Sequence, residues 1–174
     1  MGLDPLAAID RLIARSSGPL WLQLREKDLA AGALYRLGQE VRRRLPPEVP
    51  LLINGRADVA RSLGCGVHLP ADGLPVAEVR RLLGPEVPIA CSGHSPAECR
   101  RLAEAGADLV TLSPIFESPG KGPPLGLAAL REAKALGWPA TCRLVALGGI
   151  NAARGEDAGL AGADGVAMIR GAWL

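Results

Sequence analysis

The feature that most restricts how this chain can fold is the regular alternation of short apolar runs with longer amphipathic stretches. Seven runs read as strands: LWLQLRE (20–26), VPLLIN (49–54), GVHL (66–69), PIACS (88–92), LVTLS (109–113), RLVAL (143–147) and GVAMI (165–169). Helical periodicity fills the intervals at 29–45, 57–64, 75–84, 96–106, 127–137 and 152–162. Nearly continuous apolar strands joined by helices require a parallel sheet covered by its crossovers. No dinucleotide-type glycine fingerprint follows any strand, so an α/β fold of the TIM (β/α)8-barrel type is expected, not an open doubly wound sheet. The barrel reads as truncated, with about seven strands and the first strand missing. A helical segment (5–16) precedes the first strand, and no helix follows the last. Seven strands leave two unpaired edges, which predicts either a homodimer or an upstream strand that covers them.

Local signals place the element ends. Ser95-Pro96-Ala97-Glu98 is a capping box with proline at the first helical position. Asp4-Pro5 and Asp28 read as further helix starts, and Gly106 and Gly137 as left-handed helix ends. No linker, low-complexity tract or internal duplication is visible, so residues 1–174 read as one domain. A net charge of +2 gives no basis for a nucleic-acid partner, and no apolar run reaches membrane-spanning length. Cys65, Cys91, Cys99 and Cys142 lack metal-type spacing and read as free buried thiols, which with no signal peptide predicts a cytoplasmic protein.

In barrels of this type, working residues lie at the carboxyl ends of strands. Alternation along the first run puts Trp21, Gln23, Arg25 and Lys27 on one face, pointing into the barrel mouth. Two cations turned inward are costly unless an anion meets them. Of 20 basic residues only Lys27, Lys121 and Lys134 are lysines, and two of these follow strand ends. Lys121 sits in SPIFESPGKGPPLG (113–126), a connector stiffened by four prolines. ALGGIN (146–151) runs a strand through Gly148-Gly149 into a helix start at Asn151, a natural anion cradle of backbone amides. AMIRG adds amides around Ile169 and Arg170. His68 lies near a strand end, His94 precedes the capping box and packs against its helix, and Ser92 closes a strand. The residues together predict a phosphorylated small molecule as ligand.

The ordered motifs QLREK, LLIN, GVHLP, CSGHS, AGAD, SPIFESPGKGPPLG, ALGGI and AGADGVAMI resemble the thiamine phosphate synthase/TenI family from about residue 20 onward. That resemblance implies a (β/α)8 barrel which joins a pyrimidine diphosphate to a thiazole phosphate and releases pyrophosphate. It implies diphosphate contacts from Arg25, Lys27 and Lys121, with Gln23 beside them, and pyrimidine- or diphosphate-side roles for Asn54 and Ser92. Ser118 stands at a thiazole-phosphate position, with Gly148, Gly149 and Ile169 as the cradle. The departures are as specific. Gly55 replaces a metal-binding aspartate, and the second magnesium carboxylate falls on Gly73, beside Asp72. Gly120 replaces a loop threonine. The TenI-type tautomerase histidine is replaced by Pro114, which cannot move a proton.

The resulting candidate catalytic set is Lys27, Lys121 and His68, the last as substitute proton carrier, with no metal ligand set. The first expectation is a TenI-like barrel that binds thiazole phosphate or thiamine phosphate and acts, if at all, as a tautomerase. The alternatives are a thiamine phosphate synthase, the one reading in which Mg²⁺ enters through Asp72, and a non-catalytic binding or regulatory homologue. Another phosphate-binding barrel, such as an isomerase, lacks an inward carboxylate as general base.

Overall fold

The computed structural model of the chain describes residues 5–16 and 18–169. Helix α1 (Pro5–Arg15) leads into strand β1 (Leu22–Leu24), and strand and helix then alternate: α2 (Ala31–Arg44), β2 (Leu51–Asn54), α3 (Ala57–Leu63), β3 (Gly66–Leu69), α4 (Val76–Leu83), β4 (Ile89–Gly93), α5 (Pro96–Glu104), β5 (Leu109–Leu112), α6 (Gly126–Ala135), β6 (Arg143–Leu147), α7 (Ala152–Leu160) and β7 (Gly165–Ala167). The strands form one sheet in the order β1-β2-β3-β4-β5-β6-β7, all pairs parallel. Strands that pair strictly in chain order have no point at which the order reverses, so this is the singly wound sheet of a barrel. Among the described residues β1 pairs only with β2, and β7 only with β6.

The two faces of the sheet differ. Outward residues such as Ile53, Val67, Ile89, Val110, Leu112 and Leu144 are at most 1% exposed beneath the helices. Each such burial contributes about 1.5–3 kcal/mol. A second cluster, Leu52, Ala90, Leu109 and Val145 with Trp21 and Ala167 packed on it, fills the concave side. One contact group drawn from the β1 side, β2, β4, β5, β6 and β7 requires strong sheet curvature. Small residues permit it: a β-carbon at Gly66 would lie 2.6 Å from the Pro88 carbonyl oxygen.

Several expected boundaries shift. The first strand covers Leu22–Leu24 where 20–26 was expected, and the last stops at Ala167, short of 169. An edge strand has one partner to extend its ladder, so its ends are released first. Lys27 consequently lies in the turn after β1, where strand alternation no longer governs its direction. Asp28 does not cap α2: Ala30 holds that position without a side-chain bond. Asp4 lies outside the described residues. Ser95 does cap α5, its Oγ accepting from Glu98 N (3.2 Å), while Glu98 Oε2 reaches one residue past the cap and accepts from His94 N (2.8 Å).

The tetrapeptide Ala-Gly-Ala-Asp occurs at both 105–108 and 161–164, a four-residue repeat in a chain expected to show no internal duplication. Both copies do the same work. Asp108 Oδ2 accepts from Ile89 N and Asp164 Oδ2 from Leu144 N, each at 2.7 Å. The same aspartates donate their own amides to Ile89 O (2.9 Å) and Leu144 O (2.8 Å). Equivalent βα units thus present an equivalent clamp at the amino ends of β4 and β6.

Candidate functional site

A row of polar side chains crosses the concave face at the carboxyl ends of β1 to β5. Gln23 Nε2 donates to Asn54 Oδ1 (2.9 Å). Asn54 stands opposite His68 in the β2–β3 register, and a 2.8 Å hydrogen bond joins His68 Nε2 and Ser92 Oγ. Ser92 stands opposite Thr111, whose hydroxyl donates to Cys91 O (3.3 Å). The outward neighbours Ile53, Val67, Leu69 and Cys91 are held in the core, so period-2 alternation leaves the polar residues no other direction. Thr111 was missed because it sits within an apolar run and shows its side only once the register is known.

His68 is buried, 6% exposed. Burial, and secondarily the charge of Arg25, lowers its pKa to about 4, so the ring is neutral near pH 7. Arg25 itself is exposed just beyond β1. Neither it, Lys27 nor Lys121 has an acidic partner among the described residues. Lys27 and Lys121 are both exposed in turns, and no contact between them is seen.

The second half of the site lies where β6 passes into α7. Gly148 and Gly149 adopt φ of 101° and 63°, values that favour glycine. Three successive carbonyls here are occupied: Leu147 O accepts from Ile115 N (2.9 Å), Gly148 O from Phe116 N (3.1 Å), and Gly149 O from the Arg154 guanidinium (2.8 Å). The amides of Gly148, Gly149 and Ile150 have no partner among the described residues. Asn151 Oδ1 caps α7 by accepting from Arg154 N (3.0 Å). With carbonyls tied on one side and N–H groups open on the other, the half-exposed turn presents positive potential next to a helix N-terminus.

The 113–126 loop rests on this turn. A β-carbon at Gly148 would lie 2.9 Å from Pro114 Cα and 3.1 Å from Ser118 Oγ. Leu125 N donates to Pro114 O (2.8 Å) and Gly126 N to Ile115 O (3.0 Å), closing the base of the loop. Ser118 Oγ donates to Phe116 O (3.1 Å), and Lys121 N to Ser118 O (3.1 Å). Ser118, Gly148 and Gly149 are thus brought together. Ile169 is 63% exposed past β7, and Arg170 lies outside the described residues. His94, expected to pack on the capping-box helix, instead donates from Nδ1 to Ser113 O (2.9 Å) and ties β4 to the start of the loop.

A divalent metal fits these residues poorly. Among the described residues no group of three or more His, Cys, Asp or Glu could hold one. Gly55 offers no side-chain ligand. Asp58, three residues on, is gripped by Arg56 through Nε (2.9 Å) and a terminal nitrogen (2.6 Å), which holds its carboxyl below the usual range. Asp72 is a single exposed carboxylate. At Gly73 a β-carbon would lie 2.9 Å from Pro70 O, so a side chain there requires the backbone to move.

The chain is similar to known proteins over most of its length. The family model described as thiamine monophosphate synthase matches residues 4–172. A thiamine-phosphate synthase of Methanoculleus marisnigri is 43% identical over 162 residues, 90% of this chain and 75% of the relative. That of Albidiferax ferrireducens is 40% identical over 161 residues, 90% of this chain and 72% of the relative. Among solved structures, thiamine phosphate pyrophosphorylase from Pyrococcus furiosus superposes with a TM-score of 0.82 at 23% identity, covering 95% of this chain and 79% of that one.

Proposed function

The chain belongs to the thiamine monophosphate synthase family, and from that membership and the site geometry we propose that it is a thiamine-phosphate synthase. The reaction breaks the carbon–oxygen bond between a pyrimidine and its diphosphate. It forms a carbon–nitrogen bond to a thiazole phosphate, with pyrophosphate leaving. The observation that carries this reading is the set of amides at Gly148, Gly149 and Ile150, without partners among the described residues and seated against the loop that bears Ser118 and Lys121. The turn binds the thiazole phosphate and holds the ring nitrogen toward the polar row. Gln23, Asn54 and Ser92 receive the pyrimidine. Arg25, Lys27 and Lys121 meet the diphosphate and offset the charge that grows on it as the bond breaks. No step is routed through a metal, because the described residues bring no group of three or more metal-ligating side chains together.

Support for a synthase over a TenI-type tautomerase comes from the relatives named above and from two residues. Pro114 has no group that transfers a proton. His68 is neutral and bonded to Ser92, an environment suited to holding a ring in place. A coupling assay with pyrimidine diphosphate and thiazole phosphate, run in Mg²⁺ and in EDTA, tests the reading. Thiamine phosphate is expected in the Mg²⁺ arm, and the EDTA arm reads whether the diphosphate, with Asp72 beside it, recruits a cation. A rate that collapses in EDTA would bring Mg²⁺ in through Asp72, an unchanged rate would leave the diphosphate to the cationic side chains alone, and no product in either arm would sink the synthase. Thiazole phosphate binding without turnover would support the binding homologue, a reading that Gly55 and Gly73 favour.

The reading extends to a cytoplasmic homodimer in which a second copy covers the free edges of β1 and β7. Among the described residues no helix is long and apolar enough to cross a membrane. Val166 and Met168 at the β7 edge are 38% and 43% exposed, apolar surface that a partner would remove from water. Light scattering is expected to give twice the 18.0 kDa chain mass; a monomer mass at micromolar concentration would dismiss the dimer.

A further inference from the structure

We infer that Arg154 is a positioning residue for phosphate capture, aiming the Ile150 amide by anchoring the peptide on its opposite side. The inference rests on the phosphate-binding reading of the Gly148-Gly149 turn. In a trans peptide the C=O of one residue and the N–H of the next point in opposite directions from one plane. Fixing a carbonyl therefore fixes the following amide. Leu147 O is held by Ile115 N, which sets Gly148 N–H, and Gly148 O is held by Phe116 N, which sets Gly149 N–H. The third peptide has no backbone anchor. Gly149 O is held by the Arg154 guanidinium at 2.8 Å, and this sets Ile150 N–H.

Arg154 is itself fixed from two sides. Asn151 Oδ1 accepts from its amide at 3.0 Å, which places it in the first turn of α7. Its guanidinium carbon lies 5.0 Å from the centroid of the Phe116 ring, within cation–π range. Phe116 belongs to the loop bearing Ser118 and Lys121, so the arginine joins turn and loop into one unit. Without this anchor the peptide after Gly149 follows glycine's wide conformational freedom and the third donor loses its aim. A positively charged donor on Gly149 O also polarises the peptide and strengthens Ile150 N–H as a donor.

The test uses the full chain, with inorganic phosphate and thiazole phosphate as probes. Calorimetry reads affinity, and nitrogen-15 NMR follows the Ile150 amide. In the wild type the Ile150 amide is expected to shift on adding either probe. Arg154→Ala is expected to weaken both by roughly tenfold and to abolish that shift. Arg154→Lys, which keeps a charged donor, is expected within about threefold of wild type, with the shift retained. Phe116→Leu is expected to weaken binding less than Arg154→Ala, and the double variant to lose no more than Arg154→Ala alone. A wild type that binds neither probe overturns the cradle reading. A wild type that binds while Arg154→Ala binds equally, with Ile150 still shifting, overturns the role of Arg154 alone. Should Arg154→Ala fail to fold, Arg154→Lys decides: lost affinity with an unchanged melting temperature would refute anchoring by charge.

Discussion

His68 faces a polar row, yet burial more than its neighbours fixes its charge. With its pKa lowered to about 4, by burial first and Arg25 second, the folded state takes up little proton until pH nears 4, whereas the unfolded chain does so from about 6.5. Stability from this residue is complete above pH 6.5 and lost as pH falls toward 4, by about 3 kcal/mol over that window. Urea unfolding at pH 7 and pH 4.5 is expected to show the drop, with His68→Asn reducing it. A wild type whose stability is flat over this range would contradict the burial argument. A phosphate bound beside Arg25 would raise the His68 pKa, since an anion favours the imidazolium.

At the scale of elements, the amino ends of the strands are held by side chains that mimic backbone partners. Arg80 of α4 donates to the carbonyls of Gly84 (3.3 Å), Pro85 (2.9 Å), Val87 (2.6 Å) and Gly106 (3.0 Å), and to Asp108 Oδ2 (2.7 Å). One planar fork thereby ties α4, the α4–β4 connection and the Asp108 clamp. Lysine has a single nitrogen and cannot span these acceptors, so Arg80→Lys is expected to cost about 1–2 kcal/mol and lower the melting temperature by several degrees. An unchanged melting temperature would show that water replaces the fork. Arg42 acts likewise on Leu45 O, Pro46 O and Val49 O at the end of α2. Part of the arginine excess is therefore structural, although composition alone pointed toward the lysines.

Across the whole molecule, the core isolates every thiol. Cys65, Cys91, Cys99 and Cys142 are free and buried. Burial pushes Cys65 up to about 11 and the other three to about 12. Thiolate is the reactive form, so a disulfide reagent at pH 8 is expected to label no thiol in the native protein and all four after denaturation. Rapid labelling of any one under native conditions would mean that the layer between sheet and helices opens readily.

The order and type of the elements were legible in the chain because parallel strands buried on both faces must be apolar, and helices beside them must alternate. Ser95 and Asn151 announced their caps, and Gly106 and Gly137 their positive φ, because these are local demands of the backbone. The glycine pair at 148–149 could be read as a turn; that the carbonyls of Leu147 and Gly148 are tied depended on a loop more than 30 residues earlier in the chain. Strand register alone set Asn54 opposite His68, and Ser92 opposite Thr111. Only tertiary packing could bring Arg154 to Phe116 and Asp108 to Ile89, since the pairing of distant residues is fixed by which strands become neighbours. Sequence thus determined what each segment is; the curvature of the sheet decided which segments meet at its mouth.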